Sequence, residues 1–161
     1  MTITLKGIID EDFVNYKVPS MTLMFPHCNF KCDKEYGQPL CQNSQLILEP
    51  DIVIDIASVC KRYIQNPITH AIICQGMEPF DSYKELIHLV YELRIRNNCD
   101  DPIVIYTGYN KQEITDKLVT LSLYSNIIIK FGRYVPNQKT RYDEILGVKL
   151  ASDNQYAEKI S

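Results

Sequence analysis

Four short apolar runs, each closing on a turn-rich stretch, alternate along the chain with segments of helical periodicity. This alternation restricts the possible folds more than any other feature. "SMTLMF" (Ser20 to Phe25) reads as a strand and leads directly into a cysteine-rich loop. "THAIICQG" (Thr69 to Gly76) is short and β-branched, as a buried strand is. "DPIVIYTGY" and "NIIIKFG" repeat the pattern. Three helical segments lie between. "PDIVIDIASVCKRYIQNP" sets Ile52, Val53, Ile56, Val59, Cys60 and Tyr63 at helical spacing, with Pro67 beyond its end. "DSYKELIHLVYELRIRNN" has an inner stripe of Leu86, Leu89, Val90 and Leu93, and Ser82 with Glu85 has capping-box spacing. "NKQEITDKLVTLSLYS" is the third, with Asn110 and Glu113 placed to cap it. Beyond Tyr134 the signal weakens: "VPNQKTRYDE" reads as loop and "ILGVKL" as a last short strand.

This order predicts one α/β domain with a mainly parallel sheet. A closed eight-fold barrel needs about 250 residues. The units present suffice for an incomplete barrel or an open doubly wound sheet. In either, functional loops sit at the carboxyl ends of the strands. Four stretches fall there: the cysteine loop, "QGMEP", "YTGY" and "KFGRY". No repeat, low-complexity tract or linker interrupts the pattern.

The cysteine loop, "CNFKCDKEYGQPLCQN" from Cys28 to Asn43, holds three of six cysteines in a C-x3-C-x8-C spacing. The redox compartment decides how such clustering is read. "MTITLKGIIDEDF" has a short apolar run followed by Asp10, Glu11 and Asp12, which is not a signal-peptide pattern. No segment approaches the ~20 apolar residues that span a bilayer. A cytoplasmic location is therefore expected, and there clustered thiols point to metal or redox chemistry. The net charge of −3 argues against a nucleic-acid binder with a large basic surface, though not against a local basic patch.

Three thiolates can hold three irons of a 4Fe-4S cube and leave the fourth iron open to a small molecule. Two other readings stand beside this one. A structural zinc site wants four ligands, and the nearest fourth is His27, which adjoins Cys28. Free cysteines are also common core residues. Cys60 and Cys99 read that way, as does Cys74, although Cys74 precedes "QGMEP". His88 falls on a polar helix side, and His70 at a strand start reads as structural. Lys61, Arg62, Arg94, Arg96, Arg133, Lys139 and Arg141 read as solvated charges, the last three also available to a partner or a nucleotide. By itself "GMEP" reads as a strand-to-helix turn, and "YTGY" as a turn in which Gly108 is free to take positive φ. There Tyr106 and Tyr109 are core or partner-facing. No Ser-His-Asp arrangement, phosphate loop or zinc-protease motif is present.

Together these stretches resemble the radical S-adenosylmethionine (SAM) enzymes, most closely the activating proteins of anaerobic ribonucleotide reductase. That family carries C-x3-C-x2-C, the third cysteine often followed by His or Gln and then Asn. "CNFKC" is similar to the first pair, and Cys41, Gln42 and Asn43 to the third. "GMEP" resembles Gly-Gly-Glu-Pro, "YTGY" recurs in the activating proteins, "IIIKFGRY" resembles an apolar strand closed by Asp-Gly, and "SDNQ" resembles a C-terminal Ser-x-Asn-Gln. The likeness runs from about Thr22 to Gln155. The chain departs in a Cys32–Cys41 spacer six residues longer, in Leu40 for an aromatic residue, in Met77 for the second Gly, and in Phe131 for Asp.

The resemblance implies a single minimal domain over residues 1–161, an incomplete (β/α) barrel of the radical SAM core type. It implies a 4Fe-4S cluster on Cys28, Cys32 and Cys41. SAM would chelate the open iron, contacted by Leu40, Asn43, Gly76, Met77, Glu78, Pro79, Thr107, Gly108 and Lys130, the last in place of the missing Asp. No catalytic side chain is implied beyond cluster and SAM. Reductive cleavage would yield methionine and a 5′-deoxyadenosyl radical, which takes a hydrogen atom from a glycine in a glycyl radical enzyme, the large subunit of anaerobic ribonucleotide reductase. A flavodoxin or ferredoxin would supply the electron. No membrane or nucleic-acid partner is implied. The alternatives are a radical SAM enzyme acting on a small molecule, as in modified-purine synthesis, and a non-catalytic interaction module stabilised by zinc or a cluster.

Overall fold

Leu23, Cys74, Ile105 and Ile129 stand side by side across four adjacent strands, and this row fixes which sheet face is dry. The computed structural model describes residues 1–41 and 43–161. Its strands and helices follow in the order β1 (Thr2–Leu5), β2 (Gly7–Asp12), β3 (Ser20–Phe25), α1 (Lys31–Tyr36), β4 (Ile52–Asp55), α2 (Ile56–Ile64), β5 (Ile72–Gly76), α3 (Tyr83–Tyr91), β6 (Ile103–Tyr106), α4 (Thr115–Leu121), β7 (Ile127–Phe131), β8 (Arg141–Asp143), β9 (Val148–Leu150) and β10 (Tyr156–Lys159). The main sheet has the order β10-β7-β6-β5-β3-β2. Its four inner strands are parallel and its two edges antiparallel, so it is mixed. β1 pairs with β4, and β8 with β9, as separate antiparallel ribbons.

The inner stripes of α2, α3 and α4 all join one core with the Leu23 row. Each fully buried Leu or Ile there contributes about 1.5–3 kcal/mol. The opposite face holds a second, smaller cluster. Ile73, Val104 and Ile128 meet Tyr16, Leu146 and Leu150 from the 13–19 loop and the C-terminal ribbon. The helices thus cover one face, and irregular chain covers part of the other.

The strands at 20–25, 72–76, 103–106 and 127–131 match the sequence reading. Other expectations are corrected. Ile52 and Val53 are not on a helix: they lie in β4, are exposed, and pair with β1. Their β-branched run finds a partner in "TITL", and Asp55 accepts a hydrogen bond from Ser58 N to start α2 at Ile56. Ser82 makes no side-chain cap, and its hydroxyl is buried without a partner. The turn before α3 is capped instead by Glu78, which accepts from Phe80 N at 3.0 Å. The Asn110–Glu113 reading holds in that Glu113 Oε2 accepts from Asn110 N at 2.8 Å. The loop-like "VPNQKTRYDE" contains β8. Arg94 is not solvated. Its guanidinium is buried and donates to the carbonyls of Ser125, Cys99, Asp101 and Asn126, tying the helical turn Glu92–Arg96 that follows α3 to the approaches of β6 and β7. No helix among the described residues is long and apolar enough to cross a membrane.

Asp12 closes β2. Its carboxylate accepts from Val14 N, Asn15 N, Asn15 Nδ2 and Thr22 Oγ1, the last at 2.6 Å. Burial opposes ionisation, yet these four donors outweigh it and hold the pKa below the ordinary value.

Two measurements test these contacts. Arg94→Leu should destabilise the protein by roughly 3 kcal/mol in denaturant titration, because it leaves several buried carbonyls unpaired. Asp12 has a folded pKa lowered from its unfolded value near 4. Its contribution is therefore present above that value and is lost as the pH falls through the folded pKa. Asp12→Asn should flatten the acid limb of the stability curve relative to the parent.

Candidate functional site

The long spacer between Cys32 and Cys41 is folded rather than loose. Phe30 takes a left-handed conformation that opens α1, and Gly37, also left-handed, ends it. Asp33 on α1 accepts from Leu40 N and Cys41 N, both at 2.8 Å, which turns the chain back and returns Cys41 to the neighbourhood of Cys32. Phe30 N donates to Cys28 Sγ at 3.2 Å. Asn43 Nδ2 donates to Gly76 O at 3.0 Å, joining the end of the cysteine segment to β5. Gln42 lies outside the described residues.

Glu78 unites the next two stretches. It is buried, and it accepts from Phe80 N at 3.0 Å, Thr107 Oγ1 at 2.8 Å and Gly108 N at 2.9 Å. One carboxylate therefore binds "GMEP" to "YTGY". Burial pushes its pKa up to about 7, with these hydrogen bonds opposing. Gly76 has φ of 101°, and a Cβ there would lie 2.8 Å from Phe25 N and 2.9 Å from Met24 Cα. Gly108, against expectation, does not have positive φ. A Cβ there would make ordinary contacts with Arg133 Cγ at 3.6 Å, Glu78 Oε2 at 3.7 Å and Cys32 Sγ at 4.0 Å, so no steric demand for glycine arises at this position.

A cavity of about 360 Å³ opens at the carboxyl ends of the parallel strands, on the face away from the helices. Cys28, Cys32 and Cys41 line it together with Asn43, Gly76, Met77, Glu78, Thr107, Gly108 and Lys130. Leu40 and Pro79, the other two residues named from the resemblance, do not: Leu40 contributes a backbone N–H to the loop closure, and Pro79 is buried at the start of the turn. Phe131 faces the helix-side core against Tyr156, whereas its neighbour Lys130 faces the cavity. Burial lowers the Lys130 pKa to about 8, and its ammonium donates to Gly132 O.

Gln75, Tyr106, Gln155 and Arg133 also line the cavity and were not named as site residues. Period-two alternation was the available signal, since Gln75, Tyr106 and Lys130 each follow by two positions an apolar residue of the second face. Arg133, expected to be solvated, is 6% exposed and pairs with Glu113 at 2.7 Å. Cys74 and Cys60 are fully buried in the core, and Cys99 packs at its margin.

Burial raises the Cys28 thiol to about 11 and raises that of Cys32, and in each the charge of Cys41 adds to the rise, so the three sulfurs share one electrostatic neighbourhood. A single zinc ion needs sulfurs about 2.3 Å from one centre. Among the described residues no three His, Cys, Asp or Glu side chains are so disposed. A four-iron cube takes thiolates at separate corners. The donor set, three thiols around one cavity with backbone N–H groups turned to Cys28 and Cys32, fits such a cluster.

A family model described as "4Fe-4S single cluster domain" matches residues 19–155. The chain belongs to that family of iron–sulfur proteins. No curated protein matches it, and no solved structure does.

The two glycines should respond differently to a methyl group. Gly76→Ala forces both positive φ and a backbone clash, and should destabilise the fold by roughly 3 kcal/mol. Gly108→Ala meets only ordinary contacts and should cost no more than about 1 kcal/mol. Paired thermal melts check the contrast.

Proposed function

We propose that this chain is a radical SAM activase with an incomplete (β/α) barrel, which generates a glycyl radical on anaerobic ribonucleotide reductase. The observation that carries the reading is the convergence of three thiols, the Gly76–Met77–Glu78 turn and the Thr107–Gly108 turn on one cavity. The sheet supports it: consecutive parallel strands carry helices on one face and leave the carboxyl ends of the other for a ligand.

Cys28, Cys32 and Cys41 would hold the cluster. When bound, it would supply one electron to the SAM sulfonium, breaking the S–C5′ bond to give methionine and a 5′-deoxyadenosyl radical. Backbone groups of Gly76 to Glu78 would hold the SAM amino group. Glu78 has its oxygens engaged by Phe80, Thr107 and Gly108, so it braces the turn. Lys130 would supply positive charge to the cavity wall where the family has Asp one position later. Leu40 and Pro79 act through the backbone they shape.

The cavity lies near the lower end of the ~300–1,000 Å³ typical of small-molecule sites. A cluster and one nucleoside-sized ligand would occupy it. The hydrogen atom then comes from a group presented at the mouth, as a glycine loop of a larger protein is. This favours the activase over the small-molecule reading. An outside flavodoxin or ferredoxin would deliver the electron.

The test is anaerobic reconstitution with iron and sulfide, followed by SAM and dithionite. Methionine and 5′-deoxyadenosine should form, and Cys32→Ser should abolish both. Adding the large reductase subunit should produce a glycyl radical signal in paramagnetic resonance only when all components are present. Fully loaded protein that leaves SAM intact would overturn the proposal. Turnover of a small substrate without a protein partner would transfer it to the small-molecule reading.

A further inference from the structure

Arg133 has none of the roles above, yet it is a buried, ion-paired cation at the site. Its side chain is 6% exposed, and the space beside Gly108 that a Cβ would enter is bounded by both Arg133 Cγ and Cys32 Sγ. Glu113 Oε1 accepts from Arg133 Nη2 at 2.7 Å and from Lys31 Nζ at 3.1 Å. Glu35 Oε1 lies 3.4 Å from Arg133 Nε, close enough for ion pairing but without hydrogen-bond geometry, so that buried Nε–H stays uncommitted. The guanidinium also sits 5.9 Å from the Tyr109 ring centre. Lys31 and Glu35 flank Cys32 in the cysteine loop, whereas Glu113 and Arg133 belong to the scaffold. The cation therefore both clamps the loop and places its charge beside one of the three thiols.

We infer that Arg133 is a positioning residue that sets the reduction potential of the cluster held by Cys28, Cys32 and Cys41. Reduction adds one electron, breaks no bond, and increases negative charge at the site. A buried cation stabilises that charge and raises the potential. Glu113 partly neutralises the cation and lowers the potential. The nearby charges set a background: Glu78 and Lys130 both line the cavity and feel each other's charge, and Lys31 and Glu35 are exposed enough for solvent to screen them. Substitution at Arg133 and at Glu113 should therefore shift the potential in opposite directions. A purely structural clamp would produce no such opposition.

The inference rests on the iron–sulfur family and not on SAM cleavage, so the measurement omits SAM. Reconstituted parent, Arg133→Gln, Arg133→Lys and Glu113→Gln are titrated with dithionite under argon and followed by the paramagnetic signal of the reduced cluster. The expected midpoint is more negative for Arg133→Gln, near the parent for Arg133→Lys, and more positive for Glu113→Gln. The Arg133→Gln shift should persist in high salt, because that guanidinium is buried, whereas the Glu113→Gln shift should shrink, because Glu113 is exposed to solvent. Should Arg133→Gln fail to load iron, the other two variants decide: a parent-like Arg133→Lys with a positive shift in Glu113→Gln supports the inference. A Glu113→Gln midpoint that is unchanged or more negative overturns it. Parent protein that forms 5′-deoxyadenosine while the variants keep the parent midpoint would sink this inference alone.

Discussion

A buried carboxylate with three donors is costly to remove and costly to leave unpaired, and Glu78 places one at the junction of two strand ends. The carboxylate caps Phe80 N in the turn after β5, and Thr107 and Gly108 belong to the turn after β6. Neither turn can move without stranding a polar group. The cysteine loop is then fixed to this joint from outside. Tyr109 donates to Asp81 at 2.6 Å, Asn29 reaches both, and Asn43 holds Gly76 O. The thiols are thus oriented by a scaffold whose rigidity comes from satisfied polar groups and not from side chains packed around the sulfurs. α1 itself has no buried residue.

The inner parallel strands were legible because strands covered on both faces read as continuous β-branched runs. The ribbons were not. β1 and β4 are half exposed, and Ile52, Val53 and Ile56 satisfy helical spacing as well as a strand does. Pairing with a segment some fifty residues earlier, together with the Asp55 cap, decides between the two. Arg94 and Arg133 were misread for a similar reason. Burial of a guanidinium depends on acceptors distant in sequence, the Ser125 and Asn126 carbonyls for one and Glu113 for the other. Local charge patterning carries no trace of them.

At the site, the cysteines and the "GMEP" and "YTGY" turns were found because their residue types are chemically unusual together. Gln75, Tyr106 and Gln155 are ordinary residues, and only strand phase marks them. Leu40 and Pro79 fall in the right segments yet act through backbone, a distinction that residue identity does not reveal. The spacer length raised the sharpest question in the sequence. Its answer is local: a one-and-a-half-turn helix consumes the extra residues, and Asp33 closes the loop so that Cys41 returns to the cavity.

Register ties these observations together. Along β5, β6 and β7, Ile73, Val104 and Ile128 form one row on the second face, and Gln75, Tyr106 and Lys130 follow two residues later on the same face. The face therefore changes from apolar to polar where the strands end. A slip of one residue in any strand would carry its polar member into the helix-side core and expose its core residue to the cavity. The dry row of Leu23, Cys74, Ile105 and Ile129 makes that slip prohibitive. The hydrophobic core thus determines more than stability: it aims the polar residues, and the thiols attached above them, at the same volume.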